Sequence, residues 1–417
     1  MHVAVLGAGV IGISTAYYLS KAGCKVTIID KSSGAANECS FANGAQLSYS
    51  DADPLATWGN VLQGLKWLGK KNAPLLMRFS FDPDLYIWLF KFLSECRASQ
   101  FEKRTINYLL LNYYSRQQIH KLNDSLKLKY DFHQDGIIHL FETAREREAE
   151  KKILDYASQF QKVDYEILKG AEITQKEPSL KLYLSEKQGG AINCKTDEVG
   201  DAHKFTVELE KHAQQLGVKF LYNCDIHDFV KQGKKLTRLI TSKGEIEADV
   251  FVNCLGAYSN QLLNKIDIKL PIYPVKGYSV SCPIINDSEI PSASIYDHKR
   301  KFVLTKIGKT FRLAGTAEFG GFDHTIREER VSPLIHAAKH FFPHACDYEN
   351  ATPWACLRPL TPFYTPLIGK TKYSNLYLNT GHGFLGWTAA AGSSKAIADL
   401  ITKGKAEIDL SGFSPIN

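Results

Sequence analysis

The stretch VAVLGAGVIG, residues 3–12, decides the fold class, and the stretch VTIID, residues 26–30, extends the same pattern. The apolar residues 3–6 are long enough for one buried parallel strand. A glycine-rich turn and a helical segment follow, and then a second apolar strand that ends in Asp30. A carboxylate at this place can accept hydrogen bonds from ribose hydroxyls. This order of strand, turn, helix, strand and acid predicts an adenine-dinucleotide-binding unit.

The three glycines of the turn have separate jobs. Gly7 permits the tight turn, Gly9 lets a pyrophosphate approach the backbone, and Gly12 lets the helix pack on the strand. Val10 and Ile11 open the helix, whose free N–H groups and positive dipole end can receive the pyrophosphate. Because Asp30 would repel a 2′-phosphate, the pattern favours FAD or NAD over NADP.

Composition limits the classes of protein to which the chain can belong. With 417 residues the chain exceeds one compact core, so we expect two domains. A net charge of +7 is too small to argue for nucleic-acid binding. The nine cysteines include no CxxC pair, which favours reduced core thiols in a cytoplasmic protein over disulfides. We expect no metal, since His336 and His340 lack a further ligand at suitable spacing.

Both domains are predicted to be discontinuous. We assign residues 1–50, 195–270 and 345–417 to a Rossmann-like FAD-binding domain of the α/β class. Residues 51–194, with helical periodicity, and residues 271–344, with alternating apolar and polar runs, are assigned to a substrate domain of helices and an antiparallel sheet.

A second glycine-rich turn near the C-terminus favours FAD over NAD. A strand at residues 376–379 leads into TGHGFLGW, residues 380–387, and then into a helix. The N-terminus of that helix would stabilise negative charge on the N1–O2 edge of a reduced flavin. The cofactor contacts expected from this turn and from the end of the buried strand at residues 248–255 are Gly381, Gly383, Phe384, Leu385, Gly386 and Gly256.

Five motifs resemble one family from end to end. They are VLGAGVIG at 5–12, SFANGAQ at 40–46, YPVKGY at 273–278, LRPLTP at 357–362 and LNTGHGFLGWT at 378–388. The chain resembles the bacterial FAD-dependent D-amino acid dehydrogenases of the glycine and D-amino acid oxidase superfamily. This resemblance implies non-covalent FAD, oxidative deamination of D-amino acids to 2-oxo acids and ammonia, and transfer of electrons to a quinone or another respiratory acceptor.

A D-amino acid substrate suggests the catalytic residues. Arg358 is predicted to bind the substrate carboxylate, because a planar guanidinium offers two parallel hydrogen bonds. The α-hydrogen is expected to leave as hydride to flavin N5, so catalysis needs alignment rather than a strong protein base. Tyr278 and Tyr296 are candidates to contact the carboxylate or the amine, and His382 is a candidate to contact the flavin edge.

The remaining cofactor contacts are expected from short polar or glycine positions and from residues beside Asp30. They are Lys31, Ser40, Asn43, Gly44, Gln46 and Asp225. The chain departs from the family in two places. Gly44 and Ala45 stand where the family usually has Ala-Gly, and Phe363 and Tyr364 stand in a turn that we expect at the substrate mouth.

A basic aromatic stretch, residues 55–96, is typical of interfacial helices. It predicts a peripheral contact with the inner face of the cell membrane, or else packing on the core. Two alternatives to the leading function remain open. One is an oxidase of glycine or N-methyl amino acids that uses dioxygen, and the other is a flavin-holding membrane subunit without catalysis.

Overall fold

Two large sheets organise the protein, which a computed structural model describes over residues 1–51, 56–68, 73–78, 81–185 and 189–414. The strands, in chain order, are β1 (His2–Leu6), β2 (Lys25–Ile29), β3 (Gln46–Leu47), β4 (Leu75–Met77), β5 (Ile137–Leu140), β6 (Tyr165–Leu168), β7 (Ala191–Cys194), β8 (Glu198–Val199), β9 (Lys219–Leu221), β10 (Ile226–Gln232), β11 (Lys235–Thr241), β12 (Gly244–Glu247), β13 (Val250–Asn253), β14 (Tyr273–Pro283), β15 (Ser294–Asp297), β16 (Phe302–Ile307), β17 (Thr310–Phe319), β18 (Thr352–Leu360), β19 (Leu367–Lys370) and β20 (Leu376–Thr380). The helices are α1 (Val10–Lys21), α2 (Trp58–Trp67), α3 (Pro83–Glu95), α4 (Ala98–Leu126), α5 (Ala144–Ala157), α6 (Ala171–Lys176), α7 (Lys181–Ser185), α8 (Ala202–Gln215), α9 (Ser259–Leu263), α10 (Glu328–Phe341) and α11 (Gly386–Lys403).

The first sheet has the order β19-β20-β13-β1-β2-β9. All its neighbours are parallel except β19, which is antiparallel to β20. The chain leaves β1 toward β2 on one side and returns through β13 on the other, so a crevice opens at the carboxyl end of β1. The predicted α/β class with a Rossmann-like unit is confirmed.

Apolar residues cover both faces of this sheet, which explains why its central strands read as continuous apolar runs. Val3 and Val5 of β1 pack in one core with α1, α8 and α11. Ala4 and Leu6 face the opposite side, where they share a core with the three-stranded sheet β10-β11-β12 and with α9.

The second sheet has the order β18-β14-β17-β16-β15-β5-β7-β6, with β4 paired to β17. It is antiparallel from β18 to β15, as residues 271–344 predicted, and β15 is parallel to β5. Val331 and Leu334 of α10 cover one of its faces. Long helices from residues 51–194, above all α4, pack against α11 of the first domain.

β18 corrects the predicted domain boundary at residue 345. Residues 352–360 pair along their whole length with β14 of the second sheet, although we assigned them to the nucleotide-binding domain. Pro353 and Pro359 hide the strand pattern in the sequence. They are tolerated because β18 is an edge strand whose outer backbone groups need no ladder partner.

Candidate active site

A cavity of about 460 Å³ lies at the carboxyl ends of β1 and β13 and extends to β14 and β18 of the second sheet. The predicted site residues that line it are Gly7, Gly9, Val10, Ile11, Asp30, Lys31, Ser40, Asn43, Gly44, Asp225, Gly256, Tyr278, Arg358, His382, Gly383, Phe384 and Gly386. Those that do not line it are Gly12, Gln46, Tyr296, Gly381 and Leu385. The structure thus brings residues from distant parts of the chain into one site.

The glycine-rich turn after β1 has no room for side chains. Gly7 has φ of +104°, and a Cβ at this position would lie 2.7 Å from the carbonyl oxygen of Cys254. A Cβ at Gly12 would lie 1.8 Å from the carbonyl oxygen of Gly7, so Gly12 acts through helix packing and not through the cavity. These contacts hold the start of α1 close to the sheet and leave its N–H groups toward the cavity.

Asp30 is fixed at the nucleotide end of the cavity. Its carboxylate accepts the N–H of Ala8 at 2.6 Å and the N–H of Ser32 at 2.7 Å. Each carboxylate oxygen keeps a second lone pair for a ribose hydroxyl. Lys31, the next residue, pairs with Glu38 at 2.9 Å and lies 3.8 Å above the ring of Tyr258.

Ser40 closes the start of α1. Its Oγ accepts the N–H of Val10 at 3.1 Å, while the N-cap residue Gly9 supplies no side-chain hydrogen bond. The free N–H groups of this first turn form a binding place for an anion such as a pyrophosphate.

The segment after Ser40 contains Gly44 and Ala45, which stand where the family usually has Ala-Gly. The Asn43 side chain accepts the N–H of Ala45 at 3.0 Å, and a Cβ at Gly44 would lie 3.2 Å from Val303. Ala45 has φ of +61°, a conformation that favours glycine, at the position where the family usually has one. Gln46 lies outside the cavity lining because its side chain donates to Ser294 Oγ at 2.8 Å.

The second glycine turn places the N-terminus of α11 at the cavity, as predicted. Gly383, Phe384 and Gly386 line the cavity, whereas Leu385 is buried in the core of the first domain. Gly381, with φ of +79°, forms the turn behind them. The backbone of this turn, rather than each of its side chains, faces the cavity.

His382 lines the cavity, and its ring is held by a contact with α11. Its Nε2 lies 3.1 Å from Ser393 Oγ of α11. Burial lowers the pKa of His382 to about 3, so the imidazole is neutral near pH 7. The ring is therefore a packed, uncharged group that anchors the turn to its helix.

Arg358 lies on β18 and lines the cavity. Its guanidinium Nη1 is 3.4 Å from the carbonyl oxygen of Thr316, and its Cζ lies 4.9 Å from the ring centre of Phe384. Burial lowers the pKa of Arg358, and the thiols of Cys356 and Cys39 oppose that shift. Within the part of the chain that the structure describes, no carboxylate pairs with this guanidinium. The cation is thus available to an anion that enters the cavity.

Two backbone features that the sequence did not reveal hold Arg358 in place: a glycine on β14 and a bulge on β17. A Cβ at Gly277 of β14 would lie 2.1 Å from Arg358 Cζ, so only glycine lets the guanidinium lie on this strand. Opposite Gly277 and Tyr278, β17 carries a bulge at Thr316, which has φ of +57°. Bulges next to active sites redirect local groups, and here the bulge presents a carbonyl oxygen to Arg358.

Tyr278 is among the residues that line the cavity, but its hydroxyl is bonded elsewhere. Its hydroxyl donates to Glu318 at 2.6 Å on the face packed against α10, where Lys276 also bonds to Asp323 at 2.9 Å. The buried carboxylate of Glu318 and the burial of the ring both raise the pKa of Tyr278. Its predicted contact with substrate therefore has no support from the position of the hydroxyl.

Tyr296 lies farther along the second sheet. It pairs with Val303, which pairs in turn with the cavity residue Ala314, so the three share one row across the strands. The ring of Tyr296 packs edge-on against His139 and His298, at 5.5 and 4.6 Å between ring centres. A role in substrate contact stays a prediction.

Phe363 and Tyr364 are not at the cavity mouth, which corrects our expectation. Both are buried: Phe363 packs in the core beneath the first sheet, and Tyr364 packs 5.4 Å from the ring of Tyr108. The Tyr, Trp and Phe residues that line the cavity are Tyr258, Tyr278, Trp354, Phe384 and Trp387. Alternation along β18 is the signal that could have found Trp354 and Cys356, since both share a face with Arg358.

The donor set fits an adenine dinucleotide that carries a flavin. An acid lies at the ribose end, the N-terminus of α1 lies in the middle, and the N-terminus of α11 meets the strand that holds Arg358. Such a pair of helix N-termini serves a cofactor with two electron-rich centres. The fold and site together define an FAD-binding oxidoreductase.

Comparison with known proteins shows the family. The family model "FAD dependent oxidoreductase" matches residues 2–400, and the chain belongs to that family. The D-amino acid dehydrogenase of Vibrio cholerae serotype O1 is 39% identical over 413 residues, 99% of this chain and 98% of that protein. The D-amino acid dehydrogenase of Bradyrhizobium diazoefficiens is 37% identical over 414 residues, with the same coverage of 99% and 98%.

Solved structures agree with the fold. L-proline dehydrogenase from P. horikoshii superposes with a TM-score of 0.77 at 20% identity, over 99% of this chain and 96% of that one. Glycine oxidase from Geobacillus kaustophilus superposes with a TM-score of 0.74 at 21% identity, over 100% of this chain and 98% of that one. The expected cofactor FAD and the expected family are confirmed.

Proposed function

We propose that the protein is an FAD-dependent dehydrogenase that deaminates D-amino acids oxidatively to 2-oxo acids and ammonia. The observation that carries the proposal is the guanidinium of Arg358, a cation inside the cofactor cavity without a carboxylate partner among the described residues. The two relatives named D-amino acid dehydrogenase, aligned over almost the whole chain, support the choice of substrate.

Arg358 binds the substrate carboxylate. A guanidinium is planar and donates two parallel hydrogen bonds to a carboxylate, and partial burial strengthens such a pair. The carbonyl of Thr316 and the ring of Phe384 hold the guanidinium on the strand and leave donors free for the substrate. The substrate is thereby fixed at one end.

The remaining contribution of the protein is the positive potential that it places beside the cofactor. When bound, FAD supplies the two-electron acceptor for the α-hydrogen. The N-terminus of α11 favours negative charge beside Gly383 and Gly386. Because the ring of His382 is neutral near pH 7, the helix N-terminus and not this imidazole supplies the positive potential at the turn. Trp354 and Phe384 give this part of the cavity an aromatic lining.

The substrate assignment is tested with enantiomers as matched controls. Purified holoenzyme is mixed with a soluble dye as electron acceptor and with the D or L form of one amino acid. We expect dye reduction, 2-oxo acid and ammonia in equal amounts from the D form, and only background from the L form. Equal rates for both enantiomers, or turnover of glycine alone, would contradict the proposal.

A quinone in the membrane takes the electrons, and the protein binds the inner membrane face peripherally. Two outward stripes support this part of the proposal. On α2, which buries none of its residues, Trp58, Leu62 and Leu65 are 57–60% exposed at helical spacing. On α3, Phe90 is 74% exposed, and Tyr86 and Leu93 flank it along the same stripe. Exposed apolar stripes beside lysines suit the headgroup region of a bilayer.

The helices do not argue for a spanning segment. In the described ranges, none of them combines the length and the apolar content that crossing a bilayer requires. The sequence-based expectation also involved Lys70 and Lys71, which lie outside the described residues.

Vesicle binding tests the membrane contact. We expect the holoenzyme to bind vesicles of phosphatidylglycerol at low salt and to be released as salt rises. Phe90→Ser should weaken binding, whereas Ile285→Ser, a control at an apolar side chain that is 68% exposed elsewhere, should not. Quinone reduction in membranes should fall with Phe90→Ser while dye reduction stays. If the protein did not bind vesicles at low salt, the membrane contact would be wrong. If it consumed oxygen as fast as it reduced quinone, the quinone acceptor would be wrong.

A further inference from the structure

Two cysteines that the proposed reaction does not use meet in the active-site cavity. Cys39 precedes Ser40, and Cys356 lies on β18 two residues before Arg358; both line the cavity. The two thiols are close enough for each to shift the pKa of the other. Cys39 Sγ also donates to the carbonyl oxygen of Leu357 at 2.9 Å, which holds it against β18. The pair was not visible in the sequence, where both cysteines read as isolated core thiols.

The environments of the two thiols differ. The neighbouring Cys39 thiol lowers the pKa of Cys356 and the charge of Arg358 lowers it further, although burial opposes the shift. The proximity of Cys356, together with burial, raises the pKa of Cys39. Cys356 is therefore the better thiolate and nucleophile, and Cys39 is a neutral thiol beside it.

We propose that Cys39 and Cys356 form an oxidation site, which hydrogen peroxide converts into a disulfide next to Arg358. The proposal goes beyond the dehydrogenase activity, and it holds for any substrate that Arg358 binds. Hydrogen peroxide that enters the cavity from solution is the two-electron oxidant of this proposal, so the site needs no oxidase activity of the protein itself.

The chemistry proceeds in two displacements. The thiolate of Cys356 attacks one peroxide oxygen; the O–O bond breaks, Cys356 becomes a sulfenic acid, and the departing hydroxide takes a proton to leave as water. The sulfur of Cys39 then attacks the sulfur of Cys356; the S–S bond forms, the S–O bond breaks, and the Cys39 proton leaves with the hydroxyl as a second water. In total, two thiols and one peroxide give one disulfide and two waters.

The disulfide would change the substrate site. It ties the segment of Ser40, which contacts the start of α1, to the strand that carries Arg358. It also replaces the two thiols beside the guanidinium with a disulfide, which cannot ionise. Because small displacements of an anchoring group cost much of the rate, we expect a fall in turnover of about tenfold or more.

The test uses the holoenzyme and peroxide, with two readouts. After a graded peroxide dose, free thiols are blocked with N-ethylmaleimide, peptides are mapped by mass spectrometry, and dye reduction is measured on the same samples. We expect a peptide in which Cys39 and Cys356 are cross-linked, formed in proportion to the loss of turnover, and we expect dithiothreitol to reverse both. The peptide map of the wild-type protein decides this point even where a variant fails to fold.

Variants assign the roles of the two sulfurs. In Cys39→Ser, oxidation should stop at a sulfenic acid on Cys356 that a dimedone probe traps. In Cys356→Ser, Cys39 should remain unlabelled at the same dose. Cys24→Ser, a control at a partly buried cysteine outside the cavity, should form the cross-link as the wild type does. Loss of turnover without the cross-link, or equal peroxide sensitivity in Cys39→Ser, Cys356→Ser and the wild type, would overturn the proposal.

Discussion

Arg358 lies directly on the backbone of Gly277: a Cβ at residue 277 would stand 2.1 Å from the guanidinium carbon. The glycine therefore fixes the place of the cation that the proposed substrate needs. The bulge at Thr316 on the next strand supplies the carbonyl that faces the same guanidinium at 3.4 Å. An edge strand, a glycine and a bulge together hold one side chain.

Gly277→Ala is expected to displace Arg358 and to raise KM for D-amino acids about tenfold or more, because the new methyl group occupies the position of the guanidinium. FAD binding should persist, since Gly277 lies on β14 of the second sheet and outside the β1–α1–β2 unit that carries Asp30. Steady-state kinetics and cofactor content measure the two effects. Gly59→Ala is the control, because the nearest atom to a new Cβ there is 3.8 Å away. An unchanged KM in Gly277→Ala would show that Gly277 does not position Arg358.

Arg358→Lys should raise KM strongly and slow reduction of the flavin, because lysine keeps the charge but loses the paired donors. Anaerobic stopped-flow measurements at several substrate concentrations separate the two effects. Arg104→Lys is a matched control: its guanidinium also lies over an aromatic ring, that of Phe363 at 5.0 Å, but outside the cavity. Unchanged saturation and rapid reduction in Arg358→Lys would exclude Arg358 as the carboxylate anchor.

Asp30→Ala is expected to weaken FAD binding by about 1.5–3 kcal/mol, the value of charged hydrogen bonds to a buried ribose. Titration of the apoprotein with FAD measures the affinity, and its thermal unfolding reports folding. Asp225→Ala is the control, because it also removes a carboxylate from the cavity lining but leaves the backbone bonds to Ser242 in place. If both variants bound FAD as tightly as the wild type, Asp30 would have no part in the site.

Asp197 gives a pH-dependent prediction outside the cavity. Burial raises the pKa of Asp197 to about 7, even though its carboxylate accepts hydrogen bonds from Ser50. Between about pH 4 and 7 the unfolded chain releases this proton and the folded one keeps it, so the free energy of unfolding falls as pH rises. Asp197→Asn removes this ionisable group, and with it this fall in the free energy of unfolding.

The expected result is a higher Tm for Asp197→Asn than for the wild type at pH 8, and no difference near pH 4. Thermal unfolding across this pH range measures it. Asp135→Asn, at a half-exposed carboxylate, should track the wild type above neutral pH. A Tm difference that grew toward low pH would have the wrong sign and would contradict the assignment.

The sequence predicted the parts of the fold whose signals are local. The β1–α1–β2 unit and the turn before α11 depend on glycine spacing and short apolar runs, and the structure has them at the expected residues. The hairpin around Gly233 and the helix that ends before Gly217 also follow local rules.

The rest depends on contacts between distant residues. β14 is buried on both faces, so alternation could not show that Gly277 faces Arg358 while Tyr278 faces Glu318. Two prolines concealed β18, whose edge position permits them. The contact between Cys39 and Cys356 joins segments far apart in the chain, and no spacing rule predicts it.

The central claim is that the protein oxidises a D-amino acid with bound FAD. Its most direct test is anaerobic mixing of the yellow holoenzyme with D-alanine while the flavin absorbance is recorded. The account predicts that D-alanine bleaches the flavin completely, that L-alanine leaves it oxidised, and that pyruvate and ammonia appear in amounts equal to the flavin. Flavin that stays oxidised with every D-amino acid tried, or that bleaches equally with L-alanine, would contradict it.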